Sequence, residues 1–207
     1  MSLVKHNNNS ISAVTSMANL STGANVLIKE ITASSDASIS FVDGSNDVVL
    51  DSTYPIYKFE FINCHPSSDG VKFQFQTDTG TNTNYNQTIT STTFYAFHSE
   101  SGASSSLSYD GSYDQAQGTS FQDLIFYQGS DADQQCSGSL QIFNPSSDTF
   151  VKHFIARGVR ASANDQISDE YTAGYINTTT PLTRFRFKFN SGNIDSGKIK
   201  LYGIKDS

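Results

Sequence analysis

Tryptophan is absent from this 207-residue chain, and proline, cysteine and methionine are scarce at four, two and two residues. Leu, Glu, Lys and Ala, the residues that favour helices, are also few, which excludes a helical bundle. Charge is thin: Asp, Glu, Lys and Arg make 16% of the chain, against about 25% in ordinary globular proteins. Twenty acidic residues outnumber 13 basic ones, for a net charge of −7. Such a surplus of acid offers no broad attraction to phosphate backbones or anionic lipids, so neither nucleic acid nor membrane insertion is expected. No apolar run approaches the roughly 18 residues that a membrane-spanning helix needs. The opening Met1-Ser2-Leu3-Val4-Lys5-His6-Asn7-Asn8-Asn9 has no apolar core of the signal-peptide kind, so synthesis and assembly in a cytoplasm are expected.

The space left by these absences is filled by Ser, Thr, Asn and Gly, 80 residues together, and by aromatics, with 15 Phe and 10 Tyr. High aromatic content and low charge exclude a disordered chain. Aromatic and β-branched segments joined by Ser/Thr/Asn/Gly turns are the composition of an all-β protein. The two cysteines, Cys64 and Cys136, read as small, reduced, half-buried residues. A disulfide requires their strands to be neighbours, which the sequence leaves open. His65 adjoins Cys64 but faces the opposite side of a strand, so no metal is expected there.

Residues 1–24 differ from the rest. A polar tract, Asn7 to Ser10, precedes Ile11, Val14, Met17 and Leu20 at three-residue spacing in a Ser/Thr/Asn-rich stretch. It reads as a weak helix or loose arm. From residue 25 a two-residue period takes over. In Tyr54–Asn63, Tyr57, Phe59 and Phe61 alternate with Lys58 and Glu60, and in Val71–Thr77, Val71, Phe73 and Phe75 share one face. The turn His65-Pro66-Ser67-Ser68-Asp69-Gly70 between them makes 54–77 a long hairpin. Further strands are expected at Asn25–Thr32, Ala37–Val42, Thr88–Ser99, Ser137–Asn144, Thr149–Val159, Tyr171–Asn177, Leu182–Phe189 and Gly197–Ile204. In Thr149–Val159, Phe150, Lys152 and Phe154 oppose Val151, His153 and Ile155. Glu100–Asp114 reads as a polar loop, and Asp114–Gln128 as a strand with or without a short leading helix. About ten strands, each apolar on one face, pack as two sheets face to face. The expected architecture is an antiparallel β-sandwich, jelly-roll-like, over 25–207, with 1–24 as an N-terminal arm. Phe59, Phe61, Phe73, Phe75, Phe185 and Phe187 are its expected core.

Motifs that carry chemistry are sparse. The sequence has no nucleophile elbow, zinc-protease helix, phosphate loop or dinucleotide fingerprint. An enzyme is not expected, and no cofactor. Asp131-Ala132-Asp133 clusters oxygens as a weak calcium loop would. Asp165 with Asp169-Glu170 makes a second acidic loop. Tyr109 and Tyr113 flank a Gly turn from which rings can stack on sugars. Tyr109, Tyr113, Asp131 and Asp133 are therefore the candidate surface-contact residues. Ile11, Val14, Met17 and Leu20 are the candidate anchor.

Three segments carry a resemblance: Tyr57–Thr79, Asn144–Phe154 (NPSSDTFVKHF) and Asn190–Ile204, which closes on Ile-Lys-Leu-Tyr-Gly-Ile. They resemble small virion structural proteins of marine bacteriophages, over roughly residues 25–204. Relatives of that kind are labelled tail-fibre or structural proteins. The resemblance implies a non-enzymatic component of the virion surface, either a capsid decoration or head fibre or a tail appendage. It implies other virion proteins, major capsid or tail, as partners, with a host surface glycan as a further contact. It also implies a homo-oligomer, with a trimer expected, because virion appendages occupy symmetric sites. Apolar residues on both faces of several strands call for a second covering surface, which a neighbouring subunit, an internal helix or the arm folding back would each supply. The alternative is a lectin-like carbohydrate-binding module.

Overall fold

A computed structural model describes residues 24–206. The arm expected at 1–24, with Ile11, Val14, Met17 and Leu20, lies outside the described residues except for Ala24. The described chain forms thirteen strands. They are β1 (Asn25–Thr32), β2 (Ile39–Val42), β3 (Ile56–Pro66), β4 (Val71–Thr79), β5 (Ile89–Ser99), β6 (Ser105–Tyr109), β7 (Ala116–Gly118), β8 (Gln122–Gln128), β9 (Cys136–Phe143), β10 (Lys152–Ala161), β11 (Gln166–Ile176), β12 (Leu182–Phe189) and β13 (Ile194–Ile204). All ladders are antiparallel. A nine-stranded sheet has the order β1-β13-β3-β9-β10-β11-β5-β6, with β7 also on β5. A four-stranded sheet has the order β2-β12-β4-β8. The protein is an all-β sandwich, built by the alternation that the sequence displays.

The core is aromatic. Phe41, Phe59, Phe73, Phe75, Phe185 and Phe187 are fully buried and Phe61 nearly so. Phe59, on the large sheet, meets Phe187 and Phe185, on the small sheet, at 4.9 and 5.1 Å between ring centroids. Phe187 also lies 5.2 Å from Phe61 and 6.1 Å from Phe73. Most of these pairs are tilted or edge-to-face, the arrangement that ring quadrupoles favour.

The segment 54–77 is not a hairpin. β3 pairs with β13 and β9, whereas β4 pairs with β12 and β8 in the other sheet. Both strands are apolar on one face, and the two apolar faces pack on each other instead of lying side by side. Phe61 and Phe73 meet edge to face at 5.0 Å across the sandwich. The turn residues are placed as expected, with Gly70 at φ +65°, a conformation that favours glycine.

Other expectations also change. The polar loop 100–114 contains β6 and a single 3-10 turn, Gly111–Tyr113, and the ambiguous stretch after it is strand, not helix. Phe150 precedes β10 and is exposed, while Lys152 on the same parity is buried. Its Nζ donates to the Thr178 carbonyl at 3.0 Å. The cysteines are fully buried, not half-buried. They sit opposite each other on β3 and β9 as free thiols. Burial pushes the Cys64 thiol up to about 12 and Cys136 well above its ordinary value.

Replacing Phe187 by Ala is expected to lower unfolding free energy by about 3–5 kcal/mol, because a large ring is removed where five others converge on it. Chemical denaturation measures this, and a loss below about 1 kcal/mol would contradict the central position of Phe187.

Candidate functional site: the outer face of the large sheet

The unequal sheets leave the large one with a broad outer face, and strand register assigns its side chains. One row across the strands reads Lys200, Glu60, Ser139, Arg157, Tyr171, Phe94, Tyr109. The next reads Val159, Asp169, Ala96, Leu107. The face has two halves. Over β1, β13 and β3 it is charged, and Lys198, Lys200 and Lys58 are closed onto Glu30 and Glu60 at 2.8–3.3 Å. Over β10, β11, β5 and β6 it is apolar. Ten large apolar side chains are left exposed among the described residues. Six of them are here: Phe94, Leu107, Tyr109, Ile155, Val159 and Ile167, with exposures from 39% at Val159 to 74% at Leu107.

One ion pair interrupts the apolar half. Arg157 donates to Asp169 through Nε at 2.9 Å and Nη2 at 2.7 Å, and the Tyr171 hydroxyl donates to the same carboxylate at 3.1 Å. Arg157 holds the Asp169 carboxyl below its usual range. The guanidinium lies over the Tyr171 ring at 5.0 Å. Tyr171 in turn stacks on Phe94 at 4.8 Å, nearly parallel. Guanidinium and rings thus form a continuous stack standing on the sheet. Beside it, over β9, a groove of about 660 Å³ runs between Ile62 and Glu60 on one wall and Arg157 and Val159 on the other. Its floor is low because small residues, Ser137 and Ser139, supply β9's outward side chains there.

The antiparallel pair β10–β11 carries most of this surface, and its inner side fixes it in place. Arg160 Nε donates to Glu170 Oε1 at 2.7 Å, and both side chains are buried. Glu170 Oε2 accepts the Phe126 N–H at 3.0 Å, and Arg160 Nη1 donates to the Tyr127 carbonyl at 3.3 Å. These bonds tie the pair to β8 across the sandwich. Gly158 permits the approach, since a Cβ there would stand 2.4 Å from Ile125 Cγ1. Burial raises the Glu170 carboxyl to about 7, although Arg160 pulls the other way.

The candidate residues chosen from sequence do not converge. Tyr109 is exposed on β6, at the edge of the apolar half, and its hydroxyl donates to Asp114. Tyr113 is buried, not displayed: its ring stacks on Phe126 at 3.8 Å, because the 3-10 turn folds it under the loop. Asp131 and Asp133 are exposed in the β8–β9 connection, where His65 Nε2 lies 3.2 Å from the Asp131 carbonyl. In the large sheet β9, β10, β11 and β5 separate His65's strand from β6. Asp169 and Glu170, expected in an acidic loop, lie within β11, one facing out and the other buried in its ion pair. Among the described residues no three His, Cys, Asp or Glu side chains cluster to hold a metal ion. Sequence reasoning missed Phe94, Arg157, Val159 and Ile167 as surface features. The signal was the apolar residues on the outward parity of β10, seen only as far as Ile155. Comparison with protein-family models, curated proteins and solved structures finds no match to this chain.

The raised Glu170 carboxyl sets a pH dependence. Between its unfolded value near 4.5 and its folded value of about 7, the folded state binds the extra proton, so folding stability is present below pH 4.5 and falls as pH rises through 7. Urea midpoints are expected to fall from pH 5 to pH 8 in the wild type, and this fall should shrink in Glu170→Gln. An identical pH profile in both proteins would contradict the assignment.

Proposed function

We propose that this protein is a non-enzymatic structural protein of a bacteriophage virion, displayed on the particle surface and self-associating there. The observation that carries the proposal is the unpartnered apolar half of the large sheet's outer face. It presents rings and aliphatic side chains to solvent beyond what an isolated sandwich needs. The virion assignment draws on the resemblance of Tyr57–Thr79, Asn144–Phe154 and Asn190–Ile204 to phage structural proteins. Residues 1–24 are the proposed attachment segment. The finer topology is proposed as a jelly roll widened by the inserted β10–β11 pair. The order β2-β12-β4-β8 facing β3-β9 and β5-β6 supports it.

The second reading, a lectin-like module, draws on the groove over β9 and on exposed Tyr109. It is weaker because Tyr171 has Phe94 on one face and Arg157 on the other, which leaves it no open ring face for a sugar.

Mass spectrometry of purified particles tests the assignment. The protein is expected in the particle, at a copy number that scales with the major capsid protein for a decoration or with tail proteins for an appendage. Deleting 1–24 is expected to leave the sandwich folded but absent from particles. Absence of the full-length chain from particles, with binding to a glycan array, would favour the lectin-like reading.

A further inference from the structure

We propose that a second copy of this chain packs on the outer face, across its apolar half and the groove over β9, the two copies related by a two-fold axis that lies between the faces and runs along β10–β11. This deepens the proposed self-association and does not depend on the virion assignment.

Area is the first support. Phe94, Leu107, Tyr109, Ile155, Val159 and Ile167 together expose on the order of 600–700 Å² of side chain, above the few hundred Å² of an ordinary surface patch. A contact that covers these side chains in both copies buries about 1,300 Å² from them, within the roughly 1,200–2,000 Å² of stable interfaces.

Shape is the second. The face is raised on one side of β10–β11 and hollow on the other. The β5–β6 side carries Phe94, Leu107 and Tyr109, and the β9 side carries the groove floored by Ser137 and Ser139. In strand order β5 and β9 flank the β10–β11 pair symmetrically. A two-fold axis along that pair lays the ridge of each copy over the groove of the other, so a single patch is complementary to itself, as an isologous interface requires.

Charge is the third. The central Arg157 and Asp169 cancel, and they are closed by two hydrogen bonds between themselves and a third from Tyr171. A pair already bonded in this way enters an interface without leaving an uncompensated ion, which is the costly case. Lys58 and Glu60, on the far wall of the groove, are likewise closed on each other at 2.8 Å, so the contact area has no net charge with which to draw a strongly charged partner.

The sheet edge is the fourth. β6 reads Ser105-Ser106-Leu107-Ser108-Tyr109 and has no Lys, Pro or inward charge, the devices by which natural edges avoid unwanted pairing. The facing copy covers the rim at which this edge lies.

Light scattering on the full-length protein at micromolar concentration tests the proposal. The wild type is expected at twice the monomer mass. Leu107→Lys and Ile167→Lys replace side chains that are exposed in the single chain, so both variants should keep the wild-type circular dichroism. Each is expected to weaken association at least tenfold, because a charge is then buried unpaired. Leu27→Lys, exposed on the charged half, should leave the mass unchanged. A wild-type monomer, a three-chain mass, or association that Leu27→Lys disrupts and Ile167→Lys does not, would overturn the arrangement. None of these outcomes bears on whether the protein is found in particles.

Discussion

The ring contact between Phe59 and Phe187 holds the two sheets together, and much else in the structure depends on it. β3 presents Phe59 and Phe61 from the large sheet, and β12 presents Phe185, Phe187 and Phe189 from the small one. A chain with few leucines fills its interior with rings, and rings demand particular angles where aliphatic side chains tolerate many. That demand fixes the depth at which the small sheet sits on the large one. Four strands cannot span nine, and β8 reaches across β10 and β11 to β5, where Phe126 meets the Tyr95 ring at 5.1 Å and Gln122 accepts from Ser91.

The β10–β11 pair stands under β8, and its two faces do different work. On the inner side Ala156, Gly158 and Arg160 take the places that Phe residues hold elsewhere, because β8 approaches too closely for rings. Arg160 and Glu170 there are not bulk filling. Their hydrogen bonds to the backbone of Phe126 and Tyr127 satisfy groups at the point where the register of β8 on β4 shifts and the ladder skips them. On the outer side the same strands carry Ile155, Val159 and Ile167. Strand alternation lets one strand place Arg157 in solvent and Arg160 in the core only three residues apart.

The sandwich and its core could be read from sequence because alternation reports directly which parity of a strand is buried, and all six expected Phe residues are in the core. Alternation does not report which sheet a strand joins. Phe61 and Phe73 look the same whether their strands pair edge to edge or pack face to face, and so 54–77 reads as a hairpin when it crosses between sheets. Buried polar groups were hidden for a related reason. Lys152 and Glu170 look like surface residues by type, and only partners distant in sequence, Thr178 and Arg160, make their burial possible. Tyr113 was misplaced because a Gly-flanked turn indicates a reversal of the chain and not which of its side chains folds under. The candidate surface was half legible: the alternate parity around Ile155 was visible, but the addition of β11, β5 and β6 beside it belongs to the strand order.

A fully apolar face next to an uncharged sheet edge would be an aggregation hazard, and the placement of Arg157 and Asp169 bears on this. An exposed ion pair of this kind adds little to folding stability, since solvent screens it. Its effect is on what the face can contact. The guanidinium and carboxylate satisfy each other only in one geometry, with Tyr171 completing the carboxylate's bonds. A sheet sliding over this face in a wrong register would press apolar side chains onto the pair and strip its remaining hydration without replacement. In the proposed two-fold arrangement the pair would lie beside the axis, facing its own symmetry copy. In that arrangement the same two residues would oppose the many slipped registers and tolerate the self-complementary one, which is how a polar group within an apolar interface selects a partner and not merely a contact.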